Sequence, residues 1–161
     1  MKRLMIIGGL AVALLVILSL TGRKSVHHEI VIEATPEEVW TVLTKPDDFA
    51  IWNPTMLLLS GSVKEGAKVQ YQFTQVDGEK SEIGARVHRI IPNELLNQKG
   101  GIPLVLTFNH SYILDSENSN TRVTIHEEYR GIGVHFWNPK NVELAYARLN
   151  EALKERVEST K

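Results

Sequence analysis

The 161 residues carry 18 basic and 19 acidic side chains, a formal net charge of -1 and no cysteine. This length suits one domain, and the lack of cysteine excludes a disulfide framework, thiol catalysis and cysteine-ligated metal. Four of the basic residues (Lys2, Arg3, Arg23 and Lys24) lie in the first 24 positions, leaving 14 basic against 19 acidic residues in 25–161, a balance that argues against nucleic acid as a partner.

In chain order, residues 4–20 are apolar apart from Gly8, Gly9 and Ser19. Extended through Gly22, the run makes a helix about 28 Å long, near the ~30 Å hydrocarbon core of a bilayer. It is longer than the apolar region of a cleaved signal, and Ser19-Leu20-Thr21 is a poor small-x-small site. Residues 1–24 therefore read as an uncleaved, single-pass transmembrane anchor with basic flanks. Lys and Arg tie across the span, so the positive-inside rule gives no orientation; the amino terminus tips it toward an extracytoplasmic domain. Gly9-x-x-x-Ala13 has the spacing of helix pairing in membranes, but it is also ordinary for such a segment. Residues 25–28 then form a short tether, and His27-His28 read as a solvated pair rather than a metal site or pH sensor.

The domain proper is expected over 29–161. Ile30 and Ile32 alternate with Val31 and Glu33, the pattern of a half-buried strand over 29–34. Thr35-Pro36-Glu37-Glu38 is a helix start: Thr35 and Glu38 form a capping box, and Pro36 takes the first helical position. Val39, Trp40 and Leu43 give the helix an apolar face, and Lys45-Pro46 ends it. A further turn fits 47–51, and Trp52-Asn53-Pro54 closes the stretch.

This pattern resembles the SRPBCC superfamily, the START-related, polyketide-cyclase-like and plant-pollen-allergen-like domains. Ala34, Pro36, Val39, Trp40, Trp52, Asn53 and Pro54 carry the resemblance, which covers about residues 29–157. It implies an α+β helix-grip fold, a curved antiparallel sheet around a long C-terminal helix with a hydrophobic cavity between them. The motif is structural and is shared by binders and enzymes alike.

The remaining elements agree with that architecture. Strands are predicted from 60 to 63, at 69–73 (Val69, Tyr71 and Phe73 alternating with polar residues), at 79–91, 94–99, 104–114 and 121–130. Asp77-Gly78 reads as a two-residue hairpin turn, Gly100-Gly101-Ile102-Pro103 as a break, and 115–120 as a polar loop. Gly131 and Gly133 lead out of the sheet. Asn138-Pro139 starts a helix whose Val142, Ala145, Tyr146, Leu149, Leu153 and Val157 fall on one face. Alternating βαβ units are absent, so a doubly wound parallel fold is excluded.

No phosphate-binding loop is present: the glycines at 100–101 and 131–133 lack the strand-to-helix setting. His126-Glu127-Glu128 is a poor metal site, because strand neighbours point to opposite faces, and no metal or cofactor is expected. The same periodicity puts Glu127 on the face of Val123 and Ile125, and His110 on the face of Leu106 and Phe108. A buried Glu127 near His110 can act as an acid–base couple, the two can simply satisfy each other, or Glu127, near the strand end, is solvated. For Trp52 and Trp137 core packing is the first reading, with a cavity mouth or contact with the membrane interface as the alternative.

Two functions follow. The first is a membrane-tethered module that binds a hydrophobic small molecule or lipid, with Trp52, Tyr71, Phe73, Val87, Phe108, Tyr112, Ile125, Tyr129, Tyr146 and Leu149 as candidate lining residues. The second is a cyclase- or dehydrase-like enzyme using the same cavity, with His110 or Glu127 as general base. A protein-interaction module is a third, weaker reading.

Overall fold

The computed structural model describes the backbone of residues 2–160 and side chains from residue 6 to residue 160. Seven strands form a single antiparallel sheet in the order β1-β7-β6-β5-β4-β3-β2. They are β1 (Arg23–Ile32), β2 (Met56–Gly61), β3 (Lys68–Thr74), β4 (Lys80–Ile91), β5 (Leu95–Ile102), β6 (Leu106–Glu117) and β7 (Asn120–Arg130). Four helices accompany them: α1 (Lys2–Thr21), α2 (Pro36–Leu43), α3 (Phe49–Trp52) and α4 (Lys140–Glu158). The α+β helix-grip architecture expected from the sequence is present.

Local chemistry sets the elements that connect the two edges of the sheet. Thr35 Oγ1 accepts from the Glu38 backbone N–H at 3.4 Å, and a Glu38 carboxylate oxygen accepts from the Thr35 N–H at 2.8 Å, so the capping box starts α2 as predicted. Asn53 Oδ1 accepts from the N–H groups of Thr55 and Met56 at 2.9 and 2.8 Å, which turns the chain from α3 into β2. Asn138 Oδ1 accepts from the Lys140 N–H at 3.1 Å ahead of α4. The buried face of α4, including Ala145, Leu149, Leu153 and Val157, covers Val26 and Ile32 of β1 and Val123 and Ile125 of β7, all essentially without solvent contact. Asn150 is buried in the same interface and donates from Nδ2 to His28 Nδ1 (2.9 Å) and to the His28 carbonyl (3.3 Å), fixing α4 against β1.

Several sequence expectations change. β1 begins at Arg23, so residues 25–28 are strand and not a tether: Val26 points into the core, and the four residues pair with residues 125–128 of β7. β5 runs through Gly100 and Gly101 to Ile102, where a break was expected, because both glycines stay in register with Phe108 and Thr107 of β6. The polar loop over 115–120 contracts to a turn at Asn118-Ser119, with Asn118 at φ 58° and Glu117 already paired with Asn120. The hairpin at Asp77-Gly78 is wider than two residues, since β3 ends at Thr74 and β4 starts at Lys80. Gly78 takes φ 89° there.

The membrane anchor is also corrected. Among the described residues, no helix is long and apolar enough to cross a membrane. The last turn of α1 is moreover tied to the domain. Ser19 Oγ donates to the Leu104 carbonyl at 2.7 Å, His135 Nε2 lies 2.9 Å from the Leu18 carbonyl oxygen, and the Gly131 N–H donates to the Gly22 carbonyl. The single-pass, extracytoplasmic placement therefore falls, and the Lys2-Arg3 flank lies outside the described side chains.

Leu149, expected to line the cavity, is fully buried between α4 and the sheet. Leu149→Ala is expected to lower the unfolding free energy by about 2–5 kcal/mol, read by urea denaturation of the full chain. A loss below ~1 kcal/mol would mean that α4 is not seated as described.

Candidate functional site

The sheet and α4 do not close completely. A cavity of about 340 Å³ lies beneath the N-terminal half of α4, which contributes Val142 and Tyr146. Its walls are Phe73 of β3, Ile83 and Gly84 of β4, Gly101 of β5, and Leu106 and Phe108 of β6. Tyr129 of β7 and Trp137, just after a 3-10 turn over Ile132–Phe136, complete them. Gln75, Ser81 and Glu82 supply polar groups to the lining, and Glu127 places a carboxylate on its wall. The volume is at the small end of the ~300–1,000 Å³ typical of ligand pockets.

Phe108 occupies its place because residue 100 has no side chain. The two residues are paired across β5 and β6, and a Cβ at Gly100 would meet the Phe108 ring at 2.5 Å and the Gly84 carbonyl oxygen at 2.3 Å. Tyr129 stacks obliquely against Trp137, with ring centroids 4.5 Å apart. Phe73 meets Tyr146 edge-on at 6.2 Å.

The polar centre of the site is Glu127, which is 4% exposed. Strand pairing puts His110 directly across from it. Tyr129 Oη donates to Glu127 Oε2 at 2.5 Å, and Tyr146 Oη reaches down from α4 to donate to the same oxygen. His110 Nδ1 lies 3.7 Å from Oε2 and 3.3 Å from Tyr146 Oη. With the Tyr146 proton committed to the carboxylate, the consistent assignment gives His110 its proton on Nδ1, donating to the Tyr146 oxygen. His110 Nε2 is buried and has no partner among the described residues. The His110 ring is held edge-on by Tyr112 and Tyr146, at centroid distances of 4.7 and 5.3 Å.

The electrostatics follow from burial and this bonding. Burial pushes the Glu127 pKa up, but hydrogen bonding and attraction from His110, together with the two phenol donors, outweigh it and hold the carboxyl below its ordinary 4.5. Burial, reinforced by the Glu127 charge, pushes the Tyr129 and Tyr146 phenols well up, so both stay protonated and donate. Burial does the same to Tyr112. Among the described residues no group of three or more His, Asp or Glu side chains is placed to hold a metal ion.

The residues singled out by sequence do not stay together. Phe73, Phe108, Tyr129, Tyr146 and Glu127 line the cavity. His110 stands behind Glu127 rather than on the wall. Val87, Ile125 and Leu149 are core, with no solvent contact, while Tyr71 and Tyr112 border only a closed void of about 10 Å³, where Gln98 Nε2 donates to Tyr71 Oη at 3.1 Å. Trp52 lies in a different recess, with Lys45, Asp48 and Arg156. Ile83, Leu106, Val142, Gln75 and Glu82 were missed as lining residues. Ile83 and Leu106 carried a signal, sharing strand faces with Val87 and Phe108, whereas Gln75 lies in the β3–β4 connection and has no periodicity. Trp137, read first as a packing residue and only second as part of a cavity mouth, lines the cavity.

A larger surface recess, about 800 Å³, lies elsewhere, between the start of α2, the β4–β5 turn and the C-terminal part of β6. Of its lining only Leu114 is buried, and Glu37, Glu94 and Asp115 are solvated. It holds no convergent polar group, so the smaller cavity is the candidate site.

A carboxylate whose folded pKa is depressed adds stability above its unfolded pKa, and that increment is lost as pH falls through the folded value. The wild-type advantage over Glu127→Gln is therefore expected to be full at about pH 7 and to shrink below about pH 4.5. Urea denaturation of both proteins across that range reads the difference, and an advantage that grows on acidification contradicts the assignment.

The comparisons agree with this geometry. Residues 23–158 match the family described as polyketide cyclase / dehydrase and lipid transport. Among solved structures, a protein from Chromobacterium violaceum superposes with a TM-score of 0.69 at 20% identity, over 83% of this chain and 96% of the other. Norcoclaurine synthase from Thalictrum flavum, solved with dopamine and hydroxybenzaldehyde, gives 0.67 at 17%, over 86% and 88%. A major latex-like protein from Panax ginseng gives 0.70 at 14%, over 84% and 97%. Identities this low speak for the shared fold. No curated protein matches the sequence. With 136 of its residues spanned by one family profile and the sheet-and-helix cavity in place, the chain belongs to the polyketide cyclase / dehydrase and lipid transport family of the SRPBCC superfamily.

Proposed function

We propose that this domain binds a hydrophobic small molecule in the cavity between the sheet and α4, holding the polar end of the ligand at Glu127. The observation that carries the reading is the combination of aromatic and aliphatic walls with one buried carboxylate already oriented by Tyr129 and Tyr146. Apolar walls supply affinity, and a few placed polar groups fix orientation. The volume suits a compact aromatic or single-chain molecule better than a two-chain lipid. Norcoclaurine synthase, with two small aromatic compounds in its structure, is an instance of this fold taking ligands of that size.

A second reading, a cyclase- or dehydrase-like enzyme, draws on a different observation. His110 Nδ1, Tyr146 Oη and Glu127 Oε2 form a connected series that ends on the cavity wall, the arrangement a proton transfer needs. The depressed pKa of Glu127 makes it a weak base near neutrality, which places this reading second. Retained ligand binding with abolished turnover in Glu127→Gln would raise it to first.

Binding is tested with prodan, a neutral solvatochromic probe, added to the full chain. Ile83→Trp is expected to fill the cavity and weaken binding about tenfold or more, while Thr41→Trp, in the separate recess beside Trp52, leaves it unchanged. Equal binding by wild type and Ile83→Trp would place the probe outside the cavity.

A further inference from the structure

The charge of the cavity is one-sided. Two carboxylates line it, Glu127 on the buried wall and the exposed Glu82, and no lysine or arginine is among the lining residues. The titratable groups around Glu127 are accounted for. His110 lies behind it and off the lining, Tyr129 and Tyr146 donate to it, and Tyr112 packs on the far side of the His110 ring. Lys24 Nζ donates to the Trp137 carbonyl, so the backbone of the cavity wall, and not the lining, receives that charge. Both phenol hydrogen bonds fall on Oε2 of Glu127, and neither uses Oε1. The walls also present aromatic faces and edges from Phe73, Phe108, Tyr129, Trp137 and Tyr146.

These features favour one class of head group. A neutral hydroxyl can donate to a carboxylate, but it gains little from ring faces or from a second acidic group at the lining. An anionic head meets repulsion from both carboxylates, strong at the buried Glu127 and damped by water at the exposed Glu82. An organic ammonium gains from all three: a charge-assisted hydrogen bond to Glu127, attraction to the aromatic rings, and the field of Glu82.

Resting on the reading of the cavity as a ligand site, we infer that its ligand is a cationic amphiphile, a primary or secondary ammonium on a compact aromatic or alkyl body. The ammonium sits beside Glu127 and the apolar body lies between Phe108, Phe73 and Trp137. Free fatty acids are disfavoured by the same charges.

Three probes with one body separate the terms: 4-phenylbutylamine, 4-phenylbutanol and 4-phenylbutyrate, titrated calorimetrically into the full chain near neutral pH. The amine is expected to bind about tenfold more tightly than the alcohol, and the carboxylate more weakly than either. Glu127→Gln is expected to bring the amine to within about threefold of the alcohol. Should that variant fail to fold, Glu82→Gln, at an exposed position, is expected to narrow the amine preference by about twofold. An alcohol that binds as tightly as the amine overturns the inference and leaves the apolar cavity standing. Absence of binding by all three overturns the ligand-site reading as well. A carboxylate that binds best reverses the sign of the assignment.

Discussion

Everything at the site depends on keeping one carboxylate ionised away from water. Glu127 continues the inward alternation of Val123 and Ile125 on β7, so it cannot turn out to solvent without losing strand register. An unpaired ion at that depth costs several kcal/mol even after relaxation. Two phenols and a histidine, drawn from three elements, offset the cost: Tyr129 from the same strand, His110 from β6 and Tyr146 from α4. Hydrogen bonds to a charged group are each worth about 1.5–3 kcal/mol. Tyr146 thus joins α4 to the sheet through the functional group, so the seat of the helix and the orientation of the carboxylate are one problem.

The position of the cavity follows from how α4 is fixed. Its C-terminal half buries Leu149, Leu153 and Val157 against the domain, and Asn150 clamps it to His28. Its N-terminal half contributes only Val142 and Tyr146 to the space above β3, β4 and β6. There the missing side chain of Gly100 leaves room for the Phe108 ring, and Gly84 and Gly101 line the cavity with backbone alone. The 3-10 turn that brings Trp137 to the wall also receives the last turn of α1, through Leu18 and His135 and through Gly22 and Gly131.

The sequence made the framework readable because period-two alternation is a local property. Val69, Tyr71 and Phe73 announce β3, and Leu106, Phe108, His110 and Tyr112 announce β6. A polar residue in phase with such a run, as Glu127 and His110 are, is marked as inward-facing, and it is the cover from the opposite layer that makes both buried. Alternation does not say where along a strand the opposite layer touches. Val87, Ile125 and Leu149 share their faces with true lining residues, yet they lie where the layers meet tightly. Separating them requires the placement of α4, which long-range packing decides. Trp52 was misplaced for a related reason: its motif reports the turn into β2, not the direction its ring takes. The apolar run before Arg23 read as a span by composition alone, and the contacts of Ser19, Leu18 and Gly22 with the domain could not be foreseen from it.

The central claim is that a ligand's apolar body lies among Phe73, Phe108 and Trp137 and its polar end meets Glu127. A crystal structure of the full chain grown with 4-phenylbutylamine tests it most directly. The account predicts density for the phenyl ring among Phe73, Phe108 and Trp137, with the nitrogen at hydrogen-bond distance from the Glu127 carboxylate and Tyr146 still bonded to Oε2. A cavity closed by collapsed aromatic side chains, or a probe bound in the recess beside Trp52 with Glu127 untouched, would contradict it.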